Sequence, residues 1–149
     1  MSLETIKRLV GDAITKENLS FVDSYIYKWF GIFIPIGGNC GYAITPSHTH
    51  PSYMFVVSYD DQGTIYVADK RFESYPQSMF CLSPNIPHHE IQNYIPPKYC
   101  ALFIDEIRFQ KALQLYTNEP FSFDTKTINI QNSHIYDCKM QKRCFYLRS

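Results

Sequence analysis

The chain has 149 residues, enough for one domain with a sizeable core; 45% hydrophobic and 19% charged residues exclude a disordered polyelectrolyte. Lys+Arg and Asp+Glu number 14 each, so the formal net charge is zero and strong DNA binding by these residues alone is not expected, since that needs a basic face. Aromatic residues reach 16%, with 12 Tyr and 11 Phe, a composition suited to β-strands.

Leu3, Ile6, Leu9/Val10 and Ala13/Ile14 recur at helical intervals and predict a short amphipathic helix or a mobile arm. From Phe21 the period changes. Phe21–Phe30 and Ile32–Ile36 are strand-like, and the glycines at 37, 38 and 41 punctuate the chain. Further strands are expected at Tyr42–Thr45, at Tyr53–Tyr59, and at Thr64–Ala68 after an Asp60-Asp61-Gln62-Gly63 hairpin turn. Asp69-Lys70-Arg71 turns again, and Phe72–Tyr75, Met79–Leu82, His88–Tyr94 and Tyr99–Ile104 follow. In Pro84-Asn85 the Asn tolerates the positive φ that the second position of a type II turn requires. At Asp105 the pattern turns helical, with Ile107, Ala112, Leu113 and Leu115 on one stripe and acidic Asp105 and Glu106 at its start. Phe121–Ile130 reads as extended, and a last helix is expected from Asn132-Ser133 to about Leu147. Short strands at this spacing predict an antiparallel sandwich or barrel.

Five cysteines with no C-x-x-C pair read as reduced thiols, not a disulfide framework. No secretory signal follows the N-terminus, and no apolar run is long enough for a bilayer. A cytoplasmic protein is the expectation.

The chemistry-bearing residues are histidines. His48 and His50 precede the apolar run Tyr53–Val57; in extended chain, residues two apart leave the same face. His88 and His89 follow the Pro84-Asn85 turn. Two registers are open. If His88 points inward, Glu90 does too; if His89 does, Ile91 joins it. His48, His50, His88 and Glu90, with His89 as the alternative to His88, are the candidate ligands of a divalent Zn, Ni or Fe ion. Equally, His48 and His50 fit as satisfied polar groups at a barrel mouth. Trp29, Tyr42, Tyr53, Phe55, Tyr66 and Phe80 are core candidates individually, yet some would line the mouth of a barrel and contact a ligand there. No Ser or Cys nucleophile has a recognisable elbow.

The histidine pattern resembles the two motifs of the cupin superfamily. Gly41, His48, His50 and Gly63 match the first, although the Glu expected near Met54 or Phe55 is absent. Ser83-Pro84-Asn85-Ile86-Pro87-His88 matches the second, with Asn85 in place of a turn Gly, and His89 has the motif's spacing to Asn93. More narrowly, Gly41–Asp105 resembles the N-terminal sensing and dimerisation domain of AraC-type transcription regulators, which carry an arm, a degenerate cupin and interdomain helices. The resemblance implies a jelly-roll barrel over 21–105, an N-terminal arm or helix over 1–20 and a helical dimerisation segment over 106–149. It also implies a small-molecule effector in the barrel mouth, a homodimer, and DNA contact only through a helix-turn-helix domain not in these residues. No catalytic residue is expected on this reading. The other function compatible with the same histidines is a small metal-dependent cupin enzyme, an isomerase or dioxygenase.

Overall fold

The computed structural model describes residues 2–36, 47–58, 63–68, 70–91, 99–117 and 126–129. The expected strand Tyr42–Thr45, the Asp60–Gln62 turn, the segment 92–98 and the final helix lie outside them. The described chain is mainly β, and every strand pair is antiparallel.

The N-terminal stripe forms helix α1 (Leu3–Val10), capped by Ser2, whose hydroxyl accepts from the Thr5 amide, and closed by Gly11. Ile6, Leu9, Val10 and, beyond the helix, Ile14 are all buried. The segment is therefore a core element. Leu9 can come close because β2 presents Gly31 to it, where an added Cβ would lie 3.2 Å from a Leu9 methyl. A one-turn helix α2 (Lys16–Leu19), held by the Thr15–Asn18 capping box, leads into the sheets.

Strands β1 (Val22–Ile26) and β2 (Phe30–Pro35) form a hairpin, so the break falls at Tyr27–Trp29, one turn earlier than the apolar runs suggested. Next come β3 (Ser52–Ser58), β4 (Gly63–Val67), β5 (Lys70–Ser74), β6 (Ser78–Leu82), β7 (His88–Ile91) and β8 (Tyr99–Asp105). Helix α3 (Glu106–Leu113) and β9 (Lys126–Asn129) complete the set. A six-stranded sheet runs β1-β2-β8-β3-β6-β9, and a three-stranded sheet runs β5-β4-β7. The expected hairpin between the third and fourth strands is not formed. β3 pairs with β6 and β8, while β4 crosses to the small sheet, where it pairs with β5 and β7.

The sheets do not close into a barrel among the described residues: no named strand of one pairs with a strand of the other. They pack face to face instead. The parity of each strand decides what goes between them. From the large sheet Phe33, Met54, Phe80, Leu82, Ala101 and Phe103 enter the core, and from the small sheet Ile65 and Val67. Phe33 and Phe103 meet edge to face at 5.4 Å. The opposite face of β3 carries Tyr53 and Phe55, which pack on Phe109 of α3. Asp105 caps α3 by accepting from the Arg108 amide at 3.0 Å. The stripe expected on that helix is only partly its buried face: Leu113 is buried, whereas Ile107 and Leu115 are exposed. No described helix is long and apolar enough to cross a membrane.

Candidate metal centre

The two histidine segments meet where the sheets come together. His48, just ahead of β3, and His88, at the start of β7, form a two-way β-bridge: each amide donates to the other's carbonyl, at 2.9 and 3.0 Å. One step along, the Asn85 amide donates to the His50 carbonyl at 2.7 Å. Asn85 itself sits at φ +60°, the left-handed position that the turn demands. These backbone bonds bring three imidazoles into a triangle, with ring centroids 4.9 Å apart for His48–His50, 4.3 Å for His48–His88 and 4.8 Å for His50–His88. One ligand nitrogen from each lies within 4.8 Å of the others.

The rings are oriented from behind. His50 Nδ1 is hydrogen-bonded to the Val10 carbonyl at the end of α1, and His88 Nδ1 to the Ile86 carbonyl at 2.9 Å. A carbonyl only accepts, so each Nδ1 carries the proton and each Nε2 keeps its lone pair. His88 Nε2 is buried and has no hydrogen-bond partner, which leaves a desolvated lone pair at a cluster of two more imidazoles. That is how a second hydrogen bond commonly prepares a metal-binding histidine. The donor set fits an ion. All-nitrogen imidazole ligation suits Zn, Ni, Cu or Fe rather than Mg or Ca.

Burial shapes the protonation. It pushes His50 down to about 3 and, helped by the neighbouring His88, keeps it neutral; burial likewise lowers His88 to about 4. The Val10 and Ile86 hydrogen bonds work in the other direction and are outweighed.

Of the two registers, the inward histidine is His88, 1% exposed and opposite core residue Val67. His89 faces away and stacks on Tyr66, with rings 5.0 Å apart and 4° from parallel. Glu90 shares the inward face with His88, opposite Ile65, but its carboxylate does not join the three-histidine group. Although Glu90 as a residue is only partly buried, its Oε2 is sealed and unpartnered, and burial raises the carboxyl to about 8. The four-ligand set is thus corrected to three histidines, with Glu90 a neutral core acid at neutral pH.

These groups give the metal-free protein a defined pH profile. Below pH 6.5 the unfolded chain protonates two histidines that the fold keeps neutral, so stability falls as the pH falls. Glu90 acts with the opposite sign. The unfolded chain ionises it above 4.5 while the fold keeps its proton until about 8, so stability falls as the pH rises between those values. Stability should therefore pass through an optimum where the two effects offset each other, and decline toward acid as the histidine effect takes over. Urea midpoints across pH 4–9 check this. Glu90→Gln should abolish the alkaline decline, and an unchanged optimum in that variant would contradict the assignment.

The aromatic residues expected to line a ligand pocket do not converge. Trp29 sits on the β1–β2 turn under Arg108, 3.6 Å from its ring centroid. Tyr53 and Phe55 lie beneath α3, with the Tyr53 hydroxyl bonded to Gln110. Tyr66 is on the outer face of the small sheet, Phe80 is in the inter-sheet core beside Phe72, and Tyr42 is outside the described residues. Strand parity separates them.

Residues that sequence reasoning did not assign to the site come from the end of α1 and its cap. Val10 supplies the carbonyl behind His50, and Gly11, at φ +82°, lies flat on the histidine segment. An added Cβ at Gly11 would stand 3.0 Å from the Thr49 carbonyl oxygen. Gly11→Ala should therefore cost about 1–3 kcal/mol in urea unfolding, and should weaken metal binding by lifting Val10 from His50. Beside His48 an open cleft of about 470 Å³ is lined in part by Lys7, Asp12, Thr49 and Asn85.

No protein-family model and no curated protein matches the chain. Among solved structures, the chain is similar to the protein NMB1881 from Neisseria meningitidis, with a TM-score of 0.46 and 10% identity, over 56% of this chain and 83% of that one.

Proposed function

We propose that this chain is the effector-sensing domain of an AraC-type transcription regulator on a degenerate cupin scaffold, and that a divalent metal ion on His48, His50 and His88 is part of what it senses. The observation that carries the reading is the placement of the three imidazoles at the junction of both sheets and α1, with His50 bonded to Val10. Occupancy of such a site changes how firmly α1 and the two sheets are held together, which is what a sensing domain must transmit. The exposed Ile107, Leu115 and Tyr116 offer an apolar face for self-association. DNA, in this reading, is touched only by a helix-turn-helix unit outside these residues.

A second reading, a small metal-dependent cupin enzyme, is favoured by the cleft at His48, which gives a substrate access to an ion. Hydrogen exchange separates the two. In the sensor, zinc or nickel should slow exchange of the α1 amides and of the His48, Asn85 and His88 amides by about tenfold or more, and should alter the association state in sedimentation. Metal uptake that leaves α1 exchange and association unchanged speaks for the enzyme. Absence of uptake removes the enzyme and the metal from the sensor, leaving a sensor for a small organic effector.

A further inference from the structure

We propose that the cleft beside His48 takes a small carboxylate, one oxygen of which completes the coordination of the metal ion held by the three histidines, with Lys7 balancing its charge. This inference rests on the metal-centre reading above. Three observations lead to it. His50 and His88 each turn Nδ1 to a backbone carbonyl, an imidazole ligand brings no charge of its own, and among the described residues no acidic side chain joins the group, so a divalent ion there would keep its full positive charge. An anion is then the favoured further ligand. His48 lines an open cleft of about 470 Å³, so the group has one member at the surface. Finally, the same cleft holds Lys7, whose partner Asp12 is 3.0 Å away but 95% exposed. Such a surface pair is weak and readily exchanged, so the ammonium can turn to an incoming anion while Asp12 moves into solvent. Thr49 and Asn85, which also line the cleft, carry hydroxyl and amide groups of the kind that bind carboxylate oxygens.

The test uses cobalt(II) as the metal, because its visible absorption reports on its ligands. Metal-free protein is first loaded with cobalt, then titrated with acetate, succinate and benzoate, with their neutral amides, and with inorganic phosphate. At least one carboxylate should shift the cobalt spectrum saturably, its amide should not, and metal-free protein should not bind it. Lys7→Gln should weaken that binding about tenfold, with Lys7→Arg restoring most of it and cobalt uptake unchanged in both. Failure to take up cobalt overturns the metal centre and this inference with it. Cobalt uptake with a spectrum indifferent to every carboxylate overturns this inference alone, as does equal binding in Lys7→Gln. Tighter binding of phosphate than of any carboxylate overturns the ligand class.

Discussion

Zinc added to metal-free protein at about a thousand times its dissociation constant should raise unfolding stability by about 4 kcal/mol, and His50→Ala and His88→Ala should each abolish the gain. The expectation follows from a site that exists only in the fold. Its three ligands come from two segments that the His48–His88 bridge draws together, so the unfolded chain offers no equivalent. The quantity to compare is the increment on adding zinc, because removing a buried imidazole also changes the metal-free baseline. His89→Ala provides the control. Its ring stacks on Tyr66 on the opposite face, so the zinc increment should survive intact. Thermal melts with and without metal decide the matter, and an increment that persists without His50 and His88 would falsify the assignment.

Leu9→Ala should destabilise the protein by about 2–5 kcal/mol. Leu9 is 0% exposed and seated on Gly31, and truncation leaves a cavity that the strand backbone cannot collapse to fill. A mobile arm would register almost nothing. Glu4→Ala, at an exposed position of the same helix, should stay within about 0.5 kcal/mol. Urea midpoints for the two variants measure directly whether the N-terminal helix belongs to the core.

Much of the site was legible in the sequence, because the signals there are local. His48 and His50 are two apart and arrive together, and Asn85 marked the turn that aims His88. Strand parity settles His88 over His89, but only once β7 is known to pair with β4 so that His88 falls opposite Val67. That pairing is non-local and leaves no mark on neighbouring residues. The Val10 carbonyl was illegible for a different reason: every residue has one, and only the docking of α1 selects it. The described aromatics named for a ligand pocket are spread over the fold because aromatic content does not encode direction. Tyr53 and Phe55 share one face of β3, while Phe80 lies opposite Val56 on the other. Barrel closure is not seen among the described residues, and between the third and fourth strands, where an acidic, Gly-ended turn read as a hairpin, the chain instead changes sheets.

Strand β8 lies between β2 and β3 although β4, β5, β6 and β7 precede it in the chain after both; Phe33 pairs with Ala101, and Val56 with the same residue from the other side. During synthesis, β2 and β3 therefore emerge from the ribosome with open edges and must wait for a strand not yet made. Until it arrives, the large sheet is two separate pieces with unpaired backbone, the form in which nascent chains associate wrongly. His88 is also made before β8, so the histidines can gather, and a metal ion could clip the sheets together, ahead of the central strand. Insertion of β8 is then a non-local closing event, of the kind expected to slow folding relative to proteins built from local contacts.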